Sequence, residues 1–153
     1  MKILVLLGLL LMVLYVGLAW KKKEEIPVSV SSISYIFSKS AFSTVMSLYA
    51  LLTMPQTLEK LPEDLDFIGF LSFVGIILVA SSPYFRTEKK MLHNIGGFLF
   101  GILSQVVVGI INPWLLLGWV PFITYLLCKP KSEKLTFWAE ATAAGTLSAA
   151  LLL

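Results

Sequence analysis

The charged residues of this chain fall in clusters, and the stretches between the clusters are long and apolar. Lys2 stands at the start, followed by Lys21 to Glu25, Glu59 to Asp66, Arg86 to Lys90 and Lys129 to Lys134; only Lys39 and Glu140 stand alone. A bilayer core about 30 Å thick needs about 20 apolar residues in a helix that rises about 1.5 Å per residue. Backbone groups cannot stay unpaired in hydrocarbon, so continuous apolar runs imply helices, whereas a barrel would alternate over ~10 residues. Composition points the same way. Of 153 residues, 58% are apolar and 14% charged, against about 45–50% and about 25% in soluble domains. A soluble fold of this length buries only about 70% of its unfolded surface and could not hide so much apolar area. A soluble globular enzyme, a disordered chain and a collagenous repeat are therefore excluded. A single cysteine excludes a disulfide framework, and with a single histidine it excludes a Cys/His zinc site.

The expected fold is all-α: a polytopic transmembrane bundle of six helices with very short loops, one domain over 1–153. The first span covers 3–20 and closes on the interfacial Trp20. It is too long for the apolar core of a signal peptide and has no small-x-small site before Lys21-Lys22-Lys23, so it is expected to be retained. The second covers 34–54, rising out of the serine-rich stretch Ser29–Ser40 and stopping before Pro55. The third covers 67–82 and ends at Pro83, which cannot continue a helical ladder. The fourth covers 92–111, and Asn112-Pro113 turns the chain into the fifth, 114–128. The sixth covers 135–153. Pro121 predicts a kink in the fifth helix that frees carbonyls near Leu117. Trp114, Trp119, Tyr125 and Trp138 suit an interfacial belt.

With six spans, ten of the twelve Lys and Arg residues fall on one side and only Lys2 and Lys60 on the other. The positive-inside rule then makes loops 21–25, 86–90 and 129–134 cytoplasmic and puts both termini outside. The acidic cluster Glu59, Glu63, Asp64 and Asp66 faces outward. The expected location is a cell membrane, the inner one in a bacterium. The net charge of +3 is thus a topology signal; no basic patch with interleaved aromatics suggests a nucleic-acid partner.

An ionisable residue within a span is costly and marks a candidate site. Glu140, about one and a half turns into the sixth helix, could serve a proton, a cation or a polar headgroup. It could equally reach water, or pair with Lys39 or Lys134. On the fourth helix His93, Gly97, Gly101 and Gln105 recur every four residues and share a face. That face is either a polar groove for a ligand, with His93 as its titratable member, or a packing seam in which Gly97 and Gly101 admit another backbone and Gln105 bonds a neighbouring carbonyl. Ser29 and Ser31 alternate with apolar neighbours after Pro27, which suits serine-lined packing or a ligand contact at Ser31; a nucleophilic serine would need a base within reach, and the chain has one histidine. Ala143 and Gly145 belong to a small-residue surface on the sixth helix that suits close packing, within the chain or against another subunit.

Three landmarks together resemble a known group. They are Pro27-Val-Ser with Ser31-Ser-Ile-Ser after the first helix, Gly69-Phe-Leu-Ser-Phe-Val-Gly75 running to Ser-Ser-Pro83, and Leu92-His93-Asn-Ile-Gly96-Gly97-Phe after a short basic loop. Their order over residues 1 to 130 resembles the six-helix DRAM/Frag-type membrane proteins and their bacterial relatives. The resemblance implies a six-helix fold with a lipid-facing or membrane-stress role. It also implies distant kinship with the alkaline ceramidase and progestin/adipoQ receptor superfamily, whose active members set three histidines, an aspartate and a serine around zinc. Carried over, only His93 and Ser31 or Ser32 fill such roles here. Two further histidines do not exist, and no aspartate lies in a span, which counts against metal catalysis.

The expectation is therefore a non-enzymatic multi-pass protein without metal or cofactor. It would bind a lipid or a membrane partner, such as a second copy, through polar and small-residue helix faces. The alternative is an oligomeric small-solute or proton-coupled transporter with Glu140, His93 and Gln105 lining a path. An intramembrane hydrolase is a remote third.

Overall fold

The computed structural model describes residues 1–85 and 89–153, with Lys89 by its backbone alone. Among these residues the chain is all-helical, with no strand. Six α-helices run α1 (Lys2–Lys23), α2 (Lys39–Lys60), α3 (Asp66–Ser81), α4 (Lys89–Ile111), α5 (Val120–Cys128) and α6 (Leu135–Leu152). Short 3₁₀ helices cover Ser31–Tyr35, Glu63–Leu65, Ser82–Tyr84 and Pro113–Trp119. Three stretches are long and apolar enough to cross a membrane: Lys2–Lys23, Glu63–Tyr84 and Lys90–Ile111. Residues 86–88 of the basic 86–90 loop lie outside the described residues.

Helix ends follow local chemistry. α1 stops where Glu24 adopts a left-handed conformation and its N–H bonds the Trp20 carbonyl at 2.8 Å, and Lys21, Lys22 and Lys23 in the last turn suit the negative end of the helix dipole. The second helix does not begin at 34. Residues Ser31–Tyr35 form a separate 3₁₀ helix, and the extended Ser38 then caps α2 by accepting the Ala41 N–H at 3.1 Å. Nor does it end at Pro55. That residue sits inside α2, which continues to Lys60, because a proline forfeits one rung and the flanking turns are held by hydroxyl bonds from Thr53 to the Tyr49 carbonyl and from Thr57 to the Thr53 carbonyl.

The fifth span also differs from expectation. It is a 3₁₀ stretch, Pro113–Trp119, followed by a nine-residue α5. Pro121 occupies the first turn of α5, where its missing N–H costs nothing. An α-helix running through 114–128 would drive its ring into the Leu117 carbonyl. That carbonyl instead accepts the Val120 N–H, so no kink forms and no carbonyl is freed there.

The helices alternate in direction. Gly8 of α1 lies against Tyr49, Leu52 and Thr53 of α2, while Lys22 at the far end of α1 reaches the Ile36 carbonyl at 3.0 Å. α2 and α3 run antiparallel, with Thr57 beside Gly69 and Ser43 bonding the Ala80 carbonyl. The closest helix pair is α3 with α4. A Cβ on Gly75 would lie 2.6 Å from the Phe100 nitrogen and 2.7 Å from the Gly96 oxygen, and one on Gly96 would lie 2.6 Å from the Gly75 oxygen. Only glycine lets these two backbones come so close. The sequence pointed instead to Gly97 and Gly101, and to Gly145 on α6; a Cβ at any of the three would meet nothing within 4 Å. Within this chain they are not packing residues, because each faces away from the neighbouring helices. Ala143, by contrast, is buried in the core as expected.

α6 closes the bundle against α1, α2 and α4. One core cluster gathers Tyr15, Ile33, Phe42, Tyr49, Phe73, Ile76 and Phe137. A second gathers Val5, Leu61, Val107, Val108, Leu147 and Leu151. Small hydroxyl residues join this apolar interior, while large apolar side chains also cover the outside. Thr53, Thr57, Ser72, Ser82, Ser104 and Ser148 are buried, whereas Leu6, Leu10, Leu14, Phe70, Phe98 and Leu127 are exposed. Soluble monomers rarely leave continuous apolar faces of this extent uncovered.

Candidate functional site

Two polar assemblies stand out, and they are separate. The first surrounds Gln105 in the interior. Its Oε1 accepts from Trp119 Nε1 at 2.7 Å and from Thr146 Oγ1 at 2.9 Å, and its Nε2 donates to the Ala143 carbonyl at 3.2 Å and to Ser104 Oγ at 3.1 Å. Both acceptor sites and both donors of the amide are used. Gln105 thus ties α4 to α6 and to the Pro113–Trp119 stretch, as a packing residue. Trp119 correspondingly turns its indole N–H inward, whereas Trp114 is exposed. Not every buried polar group is so served: Gln56 Oε1 and Ser72 Oγ on α2 and α3 have no hydrogen-bond partner.

Gln105→Leu is expected to cost about 1–2 kcal/mol of stability. A double-mutant cycle with Trp119→Phe should return a coupling of about 0.6–1.7 kcal/mol, the range of interhelical bonds in lipid-like surroundings. Unfolding in detergent measures both. Additive losses would show that the bond does not bind the helices.

The second assembly lies at the other end of α4. Ser29, Ser31, Ser32, Ser34 and Tyr35 from the connection between α1 and α2, Phe42 from α2, Ser82 and Pro83 from the end of α3, and Lys90 and His93 from α4 line a cavity of about 350 Å³. The serines organise themselves. Ser32 N–H bonds Ser29 Oγ at 3.0 Å while Ser29 N–H bonds Ser32 Oγ at 3.2 Å, a reciprocal pair at the spacing of a capping box. Ser29 and Ser31 hydroxyls lie 3.0 Å apart, and Ser32 Oγ also donates to the Ser29 carbonyl at 2.7 Å.

Glu140 supports this wall from behind. Its Oε2 lies 2.6 Å from the Val30 nitrogen, and it also accepts the Ser31 N–H. At the start of the 3₁₀ helix Ser31–Tyr35 the Ser32 N–H is met by Ser29, whereas the Val30 and Ser31 N–H donors have no local side-chain acceptor, and the carboxyl group of α6 supplies it. The tie runs both ways, since the Val28 carbonyl accepts the Phe137 N–H at 3.1 Å in the uncapped first turn of α6. Glu140 therefore positions the serine loop; it makes no pair with Lys39 or Lys134.

The candidates thus divide. Ser31 and His93 share the cavity, Glu140 holds its wall, and Gln105 belongs to the interior. Sequence reasoning passed over Ser82, whose Oγ is 3.3 Å from His93 Nδ1 and 2.8 Å from the Val79 carbonyl. The available signal was its place in Ser-Ser-Pro83, at the end of a helix antiparallel to the one that carries His93. The hydroxyl of Ser82 donates to the Val79 carbonyl and also lies within hydrogen-bond reach of the His93 ring, which ties the end of the third helix to the fourth. Among the described residues no group of three or more His, Cys, Asp or Glu side chains could hold a metal ion.

Comparison with family models, with curated proteins and with solved structures gives no match.

Proposed function

We propose that this chain is a multi-pass membrane protein on the plan of the DRAM/Frag-type proteins, crossing the bilayer six times. In this reading it binds a polar lipid by its headgroup, without catalysis. The observation that carries the reading is a hydroxyl-lined cavity at the cationic end of a bundle whose outer face is apolar. A headgroup is polar and its tails are not, and that end of the molecule offers both surroundings side by side. Lys21, Lys22, Lys23, Lys39, Lys90, Lys129, Lys131 and Lys134 belong to this end. The minority cations Lys2 and Lys60 reach the Leu153 and Ala150 carbonyls at the end of α6, at 3.3 and 2.9 Å, where a cation meets the negative pole of a helix. The basic end is then cytoplasmic and both termini lie outside, in a cell membrane, which is the inner one if the source is a bacterium.

Binding is favoured over hydrolysis by the state of Ser82. It is buried, and its proton is already bonded to the backbone, so the hydroxyl nearest His93 is not poised as a nucleophile.

Native mass spectrometry of the full chain released from detergent micelles is expected to show a bound phospholipid; a bare chain under gentle activation counts against the reading. Topology has its own test. Cys128 is the only cysteine and is exposed at the end of α5. A membrane-impermeant maleimide should label it only after the cells are permeabilised. Labelling of intact cells would reverse the orientation.

A further inference from the structure

We infer that the serine-lined cavity selects an anionic phospholipid whose headgroup carries free hydroxyls, of the phosphatidylglycerol or phosphatidylinositol kind; the inference rests on the lipid-binding reading above. Three properties of the site lead there. The first is charge. Lys90 is the one lysine or arginine among the lining residues, and no Asp or Glu lines the cavity among the described residues. A single ammonium matches the single negative charge of a phosphodiester. The ammonium of a zwitterionic headgroup would enter beside the Lys90 ammonium and would meet no carboxylate among the described residues, which is unfavourable in a partly desolvated site.

The second is the hydrogen-bonding inventory. A hydroxyl donates one proton and accepts twice. Ser32 commits its proton to the Ser29 carbonyl and Ser82 to the Val79 carbonyl. Ser29 and Ser31 share one bond, which leaves one proton of that pair, and Ser34 forms no hydrogen bond with a described residue, which leaves its own. Two donors suit phosphate oxygens. The unused lone pairs of the serines suit donors, and a polyol headgroup supplies them.

The third is space and placement. Lys90 and His93 stand three residues apart and share one face of α4. A volume of about 350 Å³ sits at the lower end of the about 300–1,000 Å³ typical of organic-ligand sites. It is larger than a lone ion requires and sufficient for a phosphoglycerol group. The ends of α3 and α4 that frame it adjoin the exposed apolar side chains Met91 and Ile95, against which acyl chains can lie.

The test uses the full chain in detergent, with phosphatidylglycerol, phosphatidylethanolamine, diacylglycerol and soluble glycerol phosphate as probes, read by native mass spectrometry and thermal shift. Phosphatidylglycerol is expected to bind at least tenfold more tightly than phosphatidylethanolamine or diacylglycerol. Lys90→Gln, a change at an exposed position, should lower that affinity about tenfold with the melting temperature of the lipid-free protein unchanged. Ser34→Ala should weaken phosphatidylglycerol more than diacylglycerol. Equal binding of phosphatidylglycerol and phosphatidylethanolamine, or an undiminished preference in Lys90→Gln, overturns the inference and leaves lipid binding standing. Glycerol phosphate competing at the affinity of the intact lipid upholds the headgroup chemistry and overturns the lipid reading. Failure of every probe overturns both.

Discussion

Gly75→Ala should cost about 3 kcal/mol or more, the upper end of overpacking losses, and much of the variant protein should fail to remain monodisperse. The new methyl group would sit 2.6 Å from the Phe100 nitrogen and 2.7 Å from the Gly96 oxygen. Both are backbone atoms, so no rotamer change relieves the clash. α3 and α4 would have to part along their tightest seam, and the resulting gap forfeits dispersion contacts on both sides. Because the same two helices carry Ser82 and His93, lipid retention should fall in parallel. Gly97→Ala is the natural control. A methyl group there meets nothing within 4 Å, and alanine is favoured over glycine in a helix by about 1 kcal/mol, so the variant should match or exceed the parent. Thermal unfolding in detergent distinguishes the two. Equal behaviour would mean that α3 and α4 are not in contact at Gly75.

The second large effect concerns Glu140. Glu140→Ala removes the acceptor for the Val30 and Ser31 N–H groups, and charge-assisted bonds in such a setting, together with the orphaned donors, put the loss at about 2–4 kcal/mol. Glu140→Gln keeps one carbonyl oxygen and should lose roughly half as much. The change should be local: hydrogen exchange over residues 28–36 should accelerate strongly, while α3 and α4 keep their protection. Retained protection at 28–36 in the alanine variant would refute the positioning role. Since the loop it holds forms one wall of the cavity, phosphatidylglycerol affinity should drop with it.

Much of this architecture was legible in the residues because a long apolar run has few other solutions. The charge clusters bracket α1 and α3 and mark the starts of α4 and α6 to within a few residues, and Asn112-Pro113 marks the end of α4. What escaped was set either by a local competition or by distant partners. Ser38 and the serines before it compete for backbone groups and split off a separate 3₁₀ helix, and Pro121 favours starting a helix over bending one. Gly96 and Gly97 are adjacent, and only the position of Gly75 on another helix decides which of them faces inward. His93 and Ser31 were visible as candidates, but the hydroxyl beside His93 comes from the end of the preceding helix. Glu140 stood out as an ionisable residue within an apolar helix. Its partners, though, lie 110 residues earlier in the chain, a separation that no periodicity encodes.

That separation bears on biogenesis. The connection after the first helix emerges early, yet the carboxylate that fixes its shape is made 110 residues later. At synthesis rates of roughly 5–20 residues per second, the delay is roughly 5–20 s. During that interval the nascent loop lacks its final conformation, and the serine wall takes shape only after Glu140 has been made. A ribosome stalled before Glu140 would leave a chain whose serine loop lacks its acceptor, a species distinct in shape from the finished fold.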